Sequence, residues 1–412
     1  MAEAERATCA IAGCGPAGAV LGLLLARAGL DVLVLEKHAD FLRDFRGDTI
    51  HASTLTLLDE LGFGEGFAAL PHQTVTSLGV ATDDGEHTFA DFGRLPGRRK
   101  EIVFLPQWDF LDFLTRRAAE LPTFRLRMRA EATGVLCEGN RVVGLSYRDA
   151  SGERHEVRAD LTVAADGRSS VIRESAGLRG KRYGAPMDVL WFRLSKRDSD
   201  RARTAGRLAA GRLVIRIDRG DYWQAAYVIP KGGYERVRAR GLDAFRADLA
   251  RLEPLLADRV DELRSWDDVS MLDVQVDRLP RWHRPGFLCI GDAAHAMSPI
   301  AGVGINLAIQ DAVAAANILT GPLRIHTLTE ADLARVQRRR TLPTVVTQRI
   351  QRMLQDRFLA KLLAGEGAGT PWPLLVLDRL PPLRVLPAYF VGVGIRPEHV
   401  RVPPAPGPAR VG

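Results

Sequence analysis

The stretch from residue 8 to residue 36 reads TCAIAGCGPAGAVLGLLLARAGLDVLVLE, and it decides the fold. Its apolar runs predict a strand at 8–12, a helix at 17–28 and a second strand at 31–35. A strand, a helix and a strand within about 30 residues form a βαβ unit, which brings the two strands side by side in a parallel sheet. We therefore predict an α/β fold at the N-terminus.

The glycines of this stretch indicate a dinucleotide site. Gly13, Gly15 and Gly18 permit a tight turn, the close approach of a pyrophosphate and close packing of helix on strand. Glu36 ends the second strand, where a carboxylate accepts hydrogen bonds from a ribose. A structural glycine turn is the alternative, but the strand before, the helix after and the acid beyond favour the cofactor.

Two further strand ends carry a carboxylate beside a glycine. Residues 287–311, FLCIGDAAHAMSPIAGVGINLAIQD, run from a short apolar strand through Gly291-Asp292 into a glycine-rich helix start. The N–H groups at such a start favour a partial negative charge, and the carboxylate accepts bonds from hydroxyls. Asp166-Gly167 follows the apolar run 161–165 in the same way.

The composition limits the classes of protein to which this chain can belong. The chain has 412 residues, 46% of them hydrophobic and 26% charged, which is typical of a soluble globular protein with room for two joined domains. Its net charge of +7 has no basic run interleaved with aromatics, so we favour attraction of cofactor phosphates over nucleic-acid binding. Four cysteines without a CxxC pair, no signal peptide and no apolar run of about 20 residues predict a cytoplasmic protein without a transmembrane segment.

The pattern of residue types changes along the chain. Aromatic and β-branched residues alternate over 187–278, as in an antiparallel sheet. We expect an α/β cofactor-binding domain with an interleaved antiparallel-sheet substrate domain and C-terminal helices. The predicted division is cofactor domain at 1–75, 101–180 and 279–320, a small inserted sheet at 76–100, substrate domain at 181–278, and helices with a flexible tail at 321–412.

Three motifs stand in a fixed order: GCGPAG with Glu36, then Asp166-Gly167-Arg168, then Gly291-Asp292 with Pro299. This set resembles the class A flavoprotein monooxygenases, the family of para-hydroxybenzoate hydroxylase, over roughly residues 8–320. The resemblance implies FAD as cofactor, NADPH or NADH as electron donor, and O2. It implies hydroxylation of an aromatic or polyketide-like small molecule through a flavin C4a-hydroperoxide, by a monomer or homodimer.

The resemblance also implies the cofactor residues. Pro299 would lie near the reactive flavin carbon, and we assign it and Arg46 as catalytic. The residues expected to contact FAD are Gly13, Gly15, Ala17, Gly18, Glu36, Lys37, Arg46, Gln107, Asp166, Gly167, Asp292, Pro299, Gly302, Gly304, Ile305 and Asn306. We expect no metal, because His295 has no second histidine or cysteine at ligand spacing and is interpreted as structural.

The sequence identifies the residues that contact the substrate less clearly than those that contact the cofactor. Candidates on the strands of the second sheet are Trp191, Arg193, Arg216, Trp223, Gln224 and Tyr227. Because side chains alternate along a strand, Trp191 and Arg193 share a face of the sheet, and Trp223 and Tyr227 share a face. The sequence does not decide which face is turned toward the flavin. Plain packing remains the alternative for the aromatics, and a solvent-facing side chain for Arg216.

Other interpretations stay open. A flavin-dependent reductase or oxidase would share the motifs, whereas a halogenase is disfavoured because residues 225–230, AAYVIP, lack both tryptophans of a WxWxIP signature. A non-catalytic flavoprotein that sequesters a small molecule is a third class. The apolar segment 385–395 is expected to dock on the protein's own core rather than on a membrane or a lipophilic substrate.

Overall fold

The computed structural model describes residues 5–42, 49–200, 204–209, 211–363 and 370–405. The strands within these ranges, in chain order, are β1 (Glu5–Ala12), β2 (Val32–Leu35), β3 (Thr49–Ile50), β4 (Gln73–Val75), β5 (Ser77–Thr82), β6 (Gly85–Asp91), β7 (Ile102–Phe104), β8 (Phe124–Arg127), β9 (Glu131–Glu138), β10 (Arg141–Arg148), β11 (Arg154–Ala164), β12 (Lys181–Arg182), β13 (Met187–Ser195), β14 (Ala205–Ala209), β15 (Arg212–Asp218), β16 (Tyr222–Pro230), β17 (Ser270–Leu272), β18 (Asp277–Arg278), β19 (His283–Arg284) and β20 (Phe287–Cys289).

The α-helices are α1 (Pro16–Arg27), α2 (Ala52–Glu60), α3 (Gly64–Ala68), α4 (Gln107–Ala119), α5 (Val171–Ser175), α6 (Tyr234–Ala239), α7 (Leu242–Leu252), α8 (Val303–Arg324), α9 (Glu330–Leu354), α10 (Ala360–Leu363), α11 (Trp372–Arg379) and α12 (Val385–Gly392). Short 3-10 turns include Pro254–Glu262, Gly291–Ala293 and Ile300–Gly302, and α9 continues through a π-turn at Gln355–Leu359. The sequence predicts a helix over 242–256, but α7 ends at Leu252 because Glu253, which precedes Pro254, is forced out of the helical conformation.

The first sheet confirms the predicted βαβ unit. Its strand order is β19-β20-β11-β1-β2-β8, and β1 pairs in parallel with β2 and β11. The sequence predicts separate strands at 153–158 and 161–165, but the structure has one long strand, β11. Its first half pairs antiparallel with β10, and its second half lies between β1 and β20. The carboxyl ends of β1, β11 and β20 therefore meet at one edge of the sheet.

The second sheet has the order β17-β13-β16-β15-β14-β5-β6, which confirms an interleaved antiparallel-sheet region. The hairpin β5–β6, predicted as a separate small sheet, instead extends this sheet, because β14 pairs in parallel with β5 at Gly206 and Val80. Sequence patterns indicate the hairpin itself, but not the sheet edge that its free strand will pair with.

Each face of the second sheet is covered by a different part of the chain. One face packs beneath α7 and buries Phe192, Trp223 and Tyr227 with Phe245. The opposite face carries an apolar cluster that includes Val189, Ala226 and Val228. This cluster packs against Ile300, in the short turn that precedes α8. One face is thus closed by helix packing, whereas the opposite face contacts the residue that follows Pro299.

Helix α8 is the central helix of the molecule. Within the described ranges it is the one helix whose length and composition would fit a membrane span, and 72% of its apolar window is buried in the protein. It packs against α1 and α9. A core helix passes the same composition test as a span, and its burial is the reason for its apolar sequence.

The apolar segment at 385–395 docks on the protein's own core, as predicted. Ala388 and Val391 of α12 are buried against Phe92 and Leu95. The Val391 carbonyl lies 2.7 Å from Nδ1 of the buried His51, at the start of α2, so Nδ1–H donates to it. Farther along, the Ala405 N–H donates to the Arg27 carbonyl, and the remainder of the predicted flexible tail lies outside the described residues.

A buried polar cluster joins the strand end at 291 to three other segments. The Asp311 carboxylate accepts from the Gly291 N–H (3.1 Å), His295 Nε2 (2.6 Å) and Arg340 Nε (2.9 Å). Burial alone raises the pKa of Asp311, but His295 and Arg340 hold that pKa below its usual range. Arg340 of α9 also contacts Glu398 (3.5 Å) and so ties the C-terminal segment to α8.

We predict that Arg340→Met destabilises the protein by roughly 3–5 kcal/mol, because it removes the guanidinium countercharge and leaves the buried Asp311 carboxylate with only the Gly291 N–H and His295 as partners. Urea unfolding of the FAD-loaded enzyme measures this. Arg335→Met on the same helix is the matched control, because the exposed pair of Arg335 with Asp332 contributes less than about 1 kcal/mol. Equal losses in the two variants would contradict an anchoring role for the buried pair.

We also predict a pH dependence from His51. Burial lowers its pKa from 6.5 to about 4, so between these values the unfolded chain binds more protons than the folded one. Stability therefore falls as the pH drops through this window, by roughly 3 kcal/mol for this group. His51→Gln should flatten the pH profile of unfolding, while His326→Gln, at an exposed histidine, should not. Identical profiles for wild type and His51→Gln would refute this.

Candidate active site

The three glycines of the first turn have distinct roles. A Cβ on Gly13 (φ +94°) would lie 2.6 Å from the Ala165 carbonyl oxygen, so this turn and the end of β11 touch. A Cβ on Gly18 would lie 2.0 Å from the Gly13 carbonyl oxygen, so helix and turn pack closely. Gly15 has open space where its Cβ would be, and it begins α1. The open position is the one at which a ligand can approach the helix start.

Glu36 lies at the end of β2 beside the same turn. Its carboxylate accepts from the Cys14 N–H and the His38 N–H, both at 3.1 Å, and the side chain is buried. Lys37 is exposed next to it. The acid predicted for the ribose therefore already holds the glycine-rich turn in place.

The two carboxylate–glycine turns lie together because β11 and β20 are neighbours in the sheet. Arg168 Nη2 donates to Asp292 Oδ2 at 3.3 Å and connects them. Asp166 itself accepts from the Ser170 hydroxyl and the Ile172 N–H at the start of α5, and burial raises its pKa. Gly167 follows with φ +90° and open space at its Cβ position.

Gly291 lies where the end of β20 contacts both α1 and α8. Its φ is +59°, and an added Cβ would lie 3.2 Å from the Ala17 Cβ and 3.1 Å from the Ala308 Cβ. Ala17 is the second residue of α1, and Ala308 lies in the second turn of α8. A glycine here lets the strand end pass between the two helices.

A left-handed turn leads into α8. After Pro299, Ala301 (φ 62°) and Gly302 (φ 61°) are both left-handed, and Thr49 donates its hydroxyl to the Gly302 carbonyl at 3.3 Å. A non-glycine residue in this conformation is strained and persists only where its surroundings enforce it. Gly304 and Ile305 form the first turn of the helix.

Asn306 fastens this helix start from the inside. Its Oδ1 accepts from the His51 N–H (3.2 Å) and the Thr54 hydroxyl (2.7 Å), both at the start of α2. The side chain thus binds one helix to another. Gln107 is the first residue of α4, as predicted, and is half-buried. Arg46 lies outside the described residues.

Sequence reasoning missed a row of glutamines on α9. Gln348 Nε2 donates to the Ala296 carbonyl, Gln351 Nε2 to the Ser298 and Ile300 carbonyls, and Gln355 Nε2 to the Ser298 hydroxyl. These bonds hold the segment 296–300, which contains Pro299, against the glutamine side chains. The spacing of these glutamines is the signal that could have found them, because residues three and four apart share one helix face.

His295 is structural, as interpreted: its ring lies 4.9 Å from that of Trp282 and bonds to Asp311. In the described part of the chain, the group whose spacing could hold a metal ion is Asp149, Glu153 and His155. It forms the turn between β10 and β11, at the opposite end of β11 from the site.

The substrate candidates divide between the two sheet faces. Trp223 and Tyr227 are buried under α7, where Trp223 Nε1 donates to Asp200 (2.9 Å) and Arg212 donates to the Tyr227 hydroxyl (2.5 Å). Arg216 shares that face, paired with Glu253 and 5.7 Å from the Trp223 ring. The burial of Trp223 and Tyr227 favours the packing alternative for these two aromatics, whereas Arg216 is neither solvent-facing nor unpaired.

The other candidates lie on the opposite face. Trp191 packs against two apolar clusters, one of which also contacts Ala301 and the other Ile300. Arg193 is exposed on this face, 4.9 Å from the Tyr222 ring, and Gln224 is its cross-strand neighbour. Trp191 is therefore the predicted aromatic that the structure brings to the turn after Pro299.

The arrangement fits FAD. Both α1 and α8 begin at a glycine with no side-chain cap and no acidic residue in the first turn, so their N–H groups and positive dipole ends are available to an anion. The open Cβ position at Gly15 leaves room for a backbone-bound pyrophosphate. Two uncapped helix starts on either side of Gly291 suit an extended anionic dinucleotide.

Comparisons with known proteins agree. The FAD binding domain family matches residues 6–349. A 6-methylpretetramide 4-monooxygenase from Streptomyces rimosus is 33% identical over 387 residues, which is 93% of this chain and 91% of that protein. A 12-dehydrotetracycline 5-monooxygenase/anhydrotetracycline 6-monooxygenase from the same species is 29% identical over 74% of this chain, which spans 60% of that relative's length.

Solved structures show the same fold. A probable FAD-dependent monooxygenase from Pseudomonas aeruginosa has a TM-score of 0.74 at 20% identity, covering 88% of this chain and 99% of its own. An anhydrotetracycline hydroxylase from Streptomyces rimosus also has a TM-score of 0.74, at 23% identity, covering 94% of this chain and 76% of its own. The chain therefore belongs to the FAD binding domain family and is a class A FAD-dependent monooxygenase.

Proposed function

We propose that this enzyme uses NADPH or NADH and O2 to hydroxylate a planar, polycyclic aromatic polyketide. The 33% identity over nearly the whole length of a 6-methylpretetramide monooxygenase supports this substrate class. The observation that carries the proposal is the apolar cluster on the sheet face beside Ile300 and Ala301, because an aromatic ring system binds to surroundings of low polarity.

Trp191 is the residue we propose to contact the substrate. It is half-buried on that face, and its Nε1 is buried with no hydrogen-bond partner within the described residues. An unpaired buried donor is costly unless a ligand accepts from it. The ring can stack on a planar substrate while Nε1–H binds a carbonyl or phenol oxygen.

FAD, when bound, supplies the activation of oxygen. The α1 start would hold its pyrophosphate, with Gly15 at the closest approach and Glu36 at the ribose. Asp292 would bind the hydroxylated linker, and the α8 N–H groups from Val303 to Ile305 would stabilise negative charge on the ring. Pro299 at the ring face and Arg46 remain predicted catalytic residues, and the glutamine row of α9 would keep the Pro299 turn rigid.

We propose that apolar residues of the chain exclude water from this site. Ile300 and Ala301 would cover one side of the proposed pocket and the sheet face the other, as their packing against the apolar clusters of that face supports. We further propose a cytoplasmic enzyme, active as a monomer or homodimer. We also propose the domain division predicted from the sequence, except that the hairpin at 76–100 belongs to the sheet of the substrate domain.

The function is tested by incubating the FAD-loaded enzyme with NADPH, ¹⁸O2 and anhydrotetracycline or 6-methylpretetramide. We expect faster NADPH oxidation and a product heavier by one ¹⁸O atom in mass spectrometry. A product without added oxygen would instead indicate a reductase or oxidase. Slow ligand release with no product from any hydroxylated polycycle would indicate a sequestering flavoprotein.

A pair of tryptophan variants tests the assignment of faces. Trp191→Ala should raise the KM for the polycyclic substrate about 10-fold or more, since one stacked aromatic contact is lost. It should leave FAD content unchanged. Trp223→Ala, on the face under α7, should instead lower the free energy of unfolding by roughly 3–5 kcal/mol. A KM change in the surviving folded Trp223 variant with none in Trp191→Ala would reverse the two faces.

A further inference from the structure

Four residues beside the candidate active site form an unusual basic group, here called the Tyr183 cluster: Lys181, Tyr183, Arg278 and Arg352. Three cations surround one ring, with Arg352, Arg278 and Lys181 lying 5.0, 5.3 and 5.8 Å from the centroid of Tyr183. Arg278 Nη2 also donates to the Tyr183 hydroxyl at 2.8 Å. Cation–π contacts with the ring hold these charges close to one another.

The positive charge of the cluster is not neutralised by the described residues. Lys181 and Arg278 lie directly opposite each other in the β12–β18 ladder, and like charges in that position destabilise a sheet. Asp277, the acidic residue of this ladder, pairs with Arg173 instead, and no ion pair joins a described carboxylate to Lys181, Arg278 or Arg352. Buried arginines elsewhere are paired, as Arg259 is with Asp200. A locally unfavourable arrangement of this kind indicates a function.

The cluster lies close to the turn around Pro299. Arg278 Nη1 donates to Gln348 Oε1 at 3.0 Å, and Gln348 Nε2 donates to the Ala296 carbonyl at 3.1 Å. Two hydrogen bonds thus connect the cluster to the segment that precedes Pro299. Lys181 is exposed and the other members are half-buried, so a soluble ligand can reach them.

We propose that the Tyr183 cluster binds the 2′-phosphate of the reducing pyridine dinucleotide and gives the enzyme a preference for NADPH over NADH. Arginine binds phosphate oxygens through paired N–H groups, and three converging cations suit a dianion better than a monoanion. NADPH carries an extra phosphate monoester that NADH lacks. This inference rests on the proposed use of a pyridine nucleotide, but not on any particular hydroxylated substrate.

The experiment measures binding of 2′,5′-ADP and of 5′-AMP to the FAD-loaded enzyme by titration calorimetry at low ionic strength, where charge recognition is least screened. Arg352→Gln should weaken binding of 2′,5′-ADP about 10-fold and leave 5′-AMP unchanged. Arg338→Gln is the matched control, because Arg338 is an exposed arginine on the same helix. Lys181→Gln, at an exposed position, should act in the same direction as Arg352→Gln.

Kinetics give an independent readout. In steady-state NAD(P)H oxidation, Arg352→Gln should raise the KM for NADPH about 10-fold, with the KM for NADH and the flavin absorbance unchanged. Equal effects on both nucleotides, or equal effects of Arg338→Gln, would overturn the proposal. Selective loss of 2′,5′-ADP binding without oxygen insertion into any polycycle would uphold the proposal and refute only the proposed hydroxylation.

Discussion

The structure depends on one buried carboxylate. Asp311 is fully enclosed, and a buried charge persists only when its hydrogen bonds and its countercharge are both supplied. Gly291 and His295, in the turn after β20, and Arg340, on α9, supply them, and Arg340 adds Glu398 from near the C-terminus. The end of β20, the central helix α8, the helix α9 and the C-terminal segment are thereby fixed relative to one another.

That fixed geometry is what makes the cofactor site. With β20 held against α8, Gly291 passes between Ala17 and Ala308, and the uncapped starts of α1 and α8 lie on either side of it. Neither helix start has an acidic or capping side chain, so their N–H groups are left for a ligand. The glutamines of α9 then hold the left-handed turn at Ala301 and Gly302, which a free chain would not adopt.

The substrate side follows a different principle. An antiparallel sheet has two faces, and each must be covered or must bind something. Helix α7 covers the face of Trp223 and Tyr227, while the turn after Pro299 approaches the face of Trp191. The two faces are therefore covered by different parts of the chain, and Trp191 lies on the one beside the turn that leads into α8.

The sequence by itself determined the βαβ unit, the three motif positions and the family, because each depends on local patterns: strand and helix periodicity, glycines at turns and acids at strand ends. The docking of the apolar segment at 385–395 on the protein's own core was predictable for the same reason. Only the tertiary structure decided which sheet the β5–β6 hairpin joins, which face Trp191 occupies, and that Arg340 neutralises Asp311. Those outcomes depend on contacts between residues far apart in the chain, which alternation and spacing along one strand or helix do not encode.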